Sequence, residues 1–174
     1  MSPFDLAAHV RDVADFPKPG IVFKDITPLL AHPAALAAAV EGLSEPFRHL
    51  GITKVVGIEA RGFIFAAPVA LALGAGFVPV RKAGKLPSAI NRQEYALEYG
   101  TDLLEMHQDA VGADDVVLVL DDVLATGGTA AATIELVAQT GAEVSALGFL
   151  IELGFLGGRG ALGTASVTSL ITYP

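Results

Sequence analysis

A chain of 174 residues, 52% hydrophobic against 17% charged, has the length of one compact domain and is too apolar to remain disordered. Its net charge of −8 speaks against a general binder of nucleic acid or of an anionic membrane. Without cysteine there is no disulfide, no thiolate metal site and no thiol nucleophile. The charge is also uneven. Ten of the eleven basic side chains precede position 93, and beyond it Arg159 alone stands against twelve acids. Positive charge confined to one half of an acidic chain points to an anion site there.

In chain order, Ser2, Pro3 and Asp5 read as a capping box that opens a first helix to about Ala14. The start carries neither the basic nor the apolar region of a secretory signal, so a cytoplasmic location is expected. Pro17-Lys18-Pro19-Gly20 ends that helix, and Ile21-Val22-Phe23 is extended. A second helix is predicted from Pro33 to about Leu50. Lys54–Ile58 reads as a buried strand, Glu59-Ala60-Arg61-Gly62 as the turn at its carboxyl end, and Phe63–Leu73 as a helix. The uncharged stretch from Gly62 to Val80 imitates a membrane span. However, Pro68, Gly74, Gly76 and Pro79 divide it into helix, turn and strand. Ala83 to Tyr99 is polar and broken by glycine and proline, and reads as a long mobile loop. Thr101–His107 is expected as an edge strand. Val116–Leu120, apolar without alternation, is a central strand covered on both faces. A helix follows to about Gln139, with further strands at Val144–Ile151 and Val167–Leu170. This alternation predicts an α/β fold around a mainly parallel sheet, with ligands at the carboxyl ends of its strands.

The strongest constellation is Leu120 to Thr129, where Asp121 and Asp122 close a buried strand and Ala125-Thr126-Gly127-Gly128-Thr129 opens a helix. Free amides at a helix start bind phosphate, and glycines let the backbone come close to it. Thr126 and Thr129 add hydroxyl donors. The two carboxylates suit vicinal hydroxyls, or magnesium through water. The combination describes a sugar phosphate. It is neither a Walker loop, which needs a lysine after the glycines, nor a dinucleotide fingerprint. Arg61 can grip a diphosphate with two parallel hydrogen bonds, and Arg81, Lys82 and Lys85 are the densest basic cluster. Phe23 either stacks on a base or packs in the core. His9, His32, His49 and His107 show no ligand spacing and no neighbouring nucleophile.

The segment Asp121–Thr129 resembles the phosphoribosyl-diphosphate signature of type I phosphoribosyltransferases. Four more segments (Asp15–Phe23, Glu59–Phe63, Arg81–Pro87 and Leu97–Gly100) are similar to the adenine-specific branch of that family. The resemblance spans nearly the whole chain and implies a single domain over 1–174. A base-binding hood would come from about 15–30 and 152–174, and a mobile catalytic loop from about 83–99. It implies purine salvage, the transfer of phosphoribosyl from phosphoribosyl diphosphate to adenine, giving AMP and diphosphate. Arg61, Arg81, Lys82 and Lys85 would bind the diphosphate. Asp121, Asp122 and Ala125 to Thr129 would bind the phosphoribosyl half, and Val22, Phe23, Lys24 and Leu153 the adenine. Glu98 would assist proton transfer, and Tyr99 would help seat the loop. Mg²⁺ is expected on substrate oxygens and water with no direct protein ligand, and a homodimer is implied. Lys24 stands where arginine is usual, and Ile90 where threonine is common. Two alternatives stay open: a transferase for another purine or a pyrimidine, and a non-catalytic regulator that senses phosphoribosyl diphosphate.

Overall fold

The computed structural model describes residues 5–96 and 100–174. Among them the chain runs β1 (Arg11–Ala14), β2 (Val22–Asp25), α1 (Thr27–Ala31), α2 (Pro33–Ser44), β3 (Lys54–Ile58), α3 (Gly62–Leu73), β4 (Gly76–Lys82), β5 (Ile90–Ala96), β6 (Thr101–His107), β7 (Val116–Leu124), α4 (Gly128–Ala138), β8 (Glu143–Leu153) and β9 (Val167–Tyr173). The main sheet has the order β5-β6-β4-β3-β7-β8-β9. Its β4, β3, β7, β8 and β9 are parallel, and β6 and β5 are antiparallel.

Unbroken apolar sequence makes β7 central because both of its faces are covered. Successive strand side chains alternate between faces. Leu118 and Leu120 accordingly enter the core beneath α2 and α3, while Val117 and Val119 enter the core beneath α4, all four fully buried. Each such leucine contributes about 1.5–3 kcal/mol by leaving water. The apolar stretch after Arg61 resolves into α3, a left-handed turn at Gly74 and β4. No helix among the described residues is long and apolar enough to cross a membrane.

Three expectations are corrected. The N-terminal helix is a single 3-10 turn, Ala7–His9, followed by strand β1. Asp5 accepts from the amides of Ala7 and Ala8 at 3.1 and 3.3 Å, which caps one turn only. Beyond it, β1 lies antiparallel to β2 with opposite charges directly across, Arg11 on Asp25 and Asp12 on Lys24. The second helix stops at Ser44 and continues as a 3-10 segment, Glu45–Leu50. Pro46 has no N–H for the next α-helical hydrogen bond. Finally, the polar stretch read as a long mobile loop contains β5, so the strand at that edge of the sheet is β5 and not β6. Its alternation is genuine: Gln93 and Tyr95 turn inward while Arg92, Glu94 and Ala96 face out. Gln139, just past the end of α4, ties the strand down by donating to the Arg92 carbonyl at 3.1 Å.

Candidate active site

The carboxyl ends of β3 and β7 lie side by side, and the segments leaving them enclose a cleft of about 650 Å³. Strand β7 runs four residues beyond its apolar stretch of Val116–Leu120, so Asp121 and Asp122 are strand residues, and both line the cleft. The chain then turns through Gly127, whose φ of +84° favours glycine, into α4. Thr126, Gly127 and Gly128 line a smaller recess of about 60 Å³, which shares Asp121, Val123, Ala125 and Thr129 with the cleft. The first-turn amides of α4 have no partner within the helix, and its dipole favours an anion there.

Gly62 fixes the approach of α3 to this loop. A Cβ at that position would lie 2.8 Å from Asp121 Oδ1 and 3.1 Å from the Leu120 carbonyl. The close fit brings Arg61 to Asp122, with Nε 2.5 Å from Oδ2, although the contact lacks the alignment of a hydrogen bond. Burial pushes the Asp121 carboxyl well above the usual carboxylate range, and the neighbouring Asp122 charge pushes it the same way. Asp121 is half-buried, and part of it still meets the cleft.

The basic cluster is organised by Glu59, which follows β3 and joins Ala60 through a cis peptide bond. Its carboxylate accepts from the Lys82 amide at 3.0 Å, from Arg81 Nε at 3.3 Å and from the Lys85 ammonium. Burial raises the Glu59 pKa, but these three donors outweigh it and hold the group below its ordinary value. Lys82 instead pairs with Asp102 at 3.1 Å, and a hydrogen bond to that carboxylate raises its pKa. Arg61 and Lys82 therefore line the cleft, while Arg81 and Lys85 stand behind Glu59.

The β1–β2 hairpin covers the other end of the cleft with Val22, Phe23 and Lys24. Phe23 belongs to neither core. Phe16 meets its ring edge-on at 5.2 Å between centroids, and the Arg61 guanidinium sits 5.2 Å from the ring centre. Its aromatic face is thus a wall of the cleft. Lys24 turns its ammonium onto Asp12, at 2.7 Å, and over the Tyr173 ring, 3.9 Å from its centre. Leu153 both lines the cleft and packs on the core below α2 and α3. The segment from 152 onward ends in β9, the outer strand of the main sheet, and reaches the hairpin through Tyr173.

Glu98 and Tyr99 lie outside the described residues. Tyr95, Leu104 and Asp102 were not singled out by sequence, yet Tyr95 and Leu104 line the cleft and Asp102 holds Lys82. The alternation of Gln93 and Tyr95 was the available signal. Glu105, fully buried on β6, is likewise new. It accepts from Arg92 Nε and from the Gly84 amide, both at 2.9 Å, tying β5 to the turn that carries Lys85.

Comparison with known proteins decides the family. Residues 25–154 match the model of the phosphoribosyl transferase domain. The adenine phosphoribosyltransferase of Acidothermus cellulolyticus is 59% identical over 98% of this chain and 99% of its own length. That of Nocardioides sp. is 62% identical over 95% of this chain and 91% of its own. The chain belongs to the adenine phosphoribosyltransferases. As an adenine phosphoribosyltransferase it is a transferase of purine salvage. The solved adenine phosphoribosyltransferase of Rhodothermus marinus has the same fold, with a TM-score of 0.92 at 55% identity over 97% of this chain and 96% of that one. The enzyme of Giardia lamblia, complexed with 9-deazaadenine, gives 0.93 at 41% identity over 100% and 99%.

Proposed function

We propose that the cleft holds adenine against the hairpin and phosphoribosyl diphosphate against the strand ends, so that the C1′–O bond to diphosphate breaks as the bond from C1′ to N9 of adenine forms. The observation that carries this reading is the cleft's two-ended character. One end has an aromatic face and aliphatic walls, and the other has two carboxyls beside a helix start and a guanidinium.

Each part has a task. The amides of Thr126–Thr129 and the two threonine hydroxyls hold the 5′-phosphate. Asp122 and Asp121 face the ribose hydroxyls and accept from them. Arg61 and Lys82 face the departing diphosphate, and Arg81 and Lys85 reach it from Glu59. One preorganised charge aimed at a developing negative charge contributes about 3–4 kcal/mol. Phe23 and Leu153 sandwich the base. Main-chain atoms of Val22 and Lys24 read its edge, since the Lys24 ammonium is engaged elsewhere. Glu98 takes the proton lost from N9, and Tyr99 helps to close the site.

We propose Mg²⁺ as the companion ion. Asp121 and Asp122 are hard oxygen donors suited to it, but no three acidic or histidine side chains gather into a ligand set among the described residues. The ion's place is therefore on substrate oxygens and water, near these two carboxyls, where it would neutralise charge on the leaving diphosphate. A homodimer is proposed as well, supported by the exposed Ile64 and Leu71 on α3 and Phe77 on β4. Light scattering on the purified chain tests it. A cytoplasmic location follows from the substrate, because a multiply charged diphosphate does not enter an apolar bilayer unaided. Cell fractionation tests that.

The deciding experiment is a competition among adenine, hypoxanthine, guanine and orotate for phosphoribosyl diphosphate, with and without Mg²⁺. AMP as the dominant product, lost on chelation, is expected. Preference for another base, or no nucleotide from any of them, would overturn the reading.

A further inference from the structure

Arg159 is the one basic residue beyond position 92, and it does not line the cleft. It grips Glu152 at the end of β8 in a two-point fork, Nε to Oε1 at 2.6 Å and Nη2 to Oε2 at 2.7 Å, and donates from Nη1 to the Val167 carbonyl at 3.0 Å. Glu152 is 7% exposed, and the Arg159 guanidinium holds its carboxyl below the ordinary value against the effect of burial.

The neighbour of Arg159 is Gly158, which lies under the phosphate loop. A Cβ on Gly158 would sit 2.2 Å from the Ala125 carbonyl oxygen, and one on Gly127 would sit 2.3 Å from the Gly158 carbonyl oxygen. The two backbones are in direct contact, and neither has room for a side chain. The turn Gly158–Leu162 is thus a floor beneath the loop that lines the recess, without itself lining it. A Gly157-Gly158-Arg159-Gly160 segment is intrinsically loose, because glycine loses more freedom on ordering than any other residue. A firm floor needs external anchors. At one end Leu162 enters the core beneath α4, and at the other the Arg159 fork fastens the turn to β8.

We propose that Arg159, acting through Glu152, is a positioning residue for the phosphoribosyl phosphate, holding Gly158 against the Ala125–Gly127 backbone so that the loop amides converge. This rests on reading Thr126–Thr129 as the phosphate site. Base binding supplies an internal control, because Leu153 is placed by its pairing with Tyr173 rather than by the fork.

The test compares the wild-type chain with Arg159→Ala, Arg159→Lys and Gly158→Ala. It uses calorimetric binding of ribose 5-phosphate, steady-state KM for both substrates and the thermal midpoint. Arg159→Ala is expected to weaken ribose 5-phosphate binding and raise KM for phosphoribosyl diphosphate about tenfold or more, as small misplacements of a preorganised site do. KM for adenine is expected to stay within about twofold of wild type, since its pocket does not move. Arg159→Lys, which keeps charge but not the fork, should fall between. Gly158→Ala, which presses on Ala125 with the ion pair intact, should show the same selective loss. Should Arg159→Ala fail to fold, the other two variants are read by the same criterion. Unchanged affinity for ribose 5-phosphate, or equal loss for both substrates, would overturn the inference. If the wild-type chain itself does not bind ribose 5-phosphate, the phosphate reading falls first and takes this inference with it.

Discussion

Arg61→Ala separates catalysis from folding. The Arg61 side chain is 46% exposed, and its charge partner is Asp122, 8% exposed. A pair with one half in solvent is screened, so its loss costs about 1 kcal/mol of stability. In a domain of this size that lowers the unfolding midpoint by about 2–4 °C. The effect on the reaction should be larger. If Arg61 faces the departing diphosphate, its removal withdraws a preorganised charge worth about 3–4 kcal/mol, or roughly a hundred- to thousandfold in turnover. Initial rates of AMP formation at saturating substrates, set beside the thermal midpoint, measure both. Arg61→Lys should recover part of the rate, since it restores the charge without the planar two-point grip. Turnover of Arg61→Ala within about threefold of wild type would refute the role, because no transition-state charge contact is that weak. A collapse of the midpoint matching the lost activity would refute the division between site and fold.

Asp121→Asn should stabilise the chain and impair it. The folded state holds the Asp121 carboxyl above its ordinary value of 3.8. The favourable neutral form is thus fully populated below that value, and its contribution is lost as pH rises through the raised pKa. The substitution should therefore raise the unfolding midpoint more at pH 7 than at pH 4 while AMP formation falls; a lower midpoint at pH 7 would contradict it. Lys24→Met removes an ammonium engaged with Asp12 and Tyr173, so KM for adenine should change by no more than about twofold, and a tenfold rise would place that ammonium on the base. Glu59 and Glu152 are held below their ordinary value of 4.5, and Asp25 is lowered to about 2 by its hydrogen bonds to Thr27 and Arg11. Their stabilisation is complete above the unfolded values and is lost as pH falls through the lowered ones. The midpoint should accordingly decline steeply on acidification below that range, less so in Glu152→Gln, as followed by circular dichroism.

The central strands and the turn from β7 into α4 were legible because their signals are local. An apolar run with no alternation has one structural use in a sheet of this kind, and two carboxylates followed by Ala-Thr-Gly-Gly-Thr place hydroxyl-binding and phosphate-binding groups a few residues apart. What escaped is what depends on a partner far along the chain. Arg11–Ala14 is extended because Asp25 and Lys24 lie opposite, a pairing that the helix-like spacing of residues 2–14 does not reveal. Strand β5 carries mostly polar side chains because it has a neighbour on one side only. Its register with β6 is what gives Arg92 its buried partner Glu105. Glu59 was visible as part of a turn, but not as the residue on which Arg81, Lys85 and the Lys82 amide converge. Nothing local in the sequence around Gly157-Gly158 signals the Ala125 carbonyl that packs against Gly158.

The charge imbalance takes a different meaning once the partners are known. The basic half and the acidic half do not act apart. Arg61 is held by Asp122, Lys82 by Asp102, and Arg81 with Lys85 by Glu59, so the cations of the first half are arranged largely by carboxylates, two of them from the second. Four bare cations around one cleft would repel one another, and long side chains would scatter into solvent. Carboxylates fix their directions in advance, and this reduces the ordering cost when an anion arrives. If the proposed diphosphate binds here it enters by competition, because it brings several charges where each carboxylate brings one. The same argument places Arg159, whose carboxylate partner is buried at the far side of the phosphate loop, among the structural supports rather than the groups that meet the substrate.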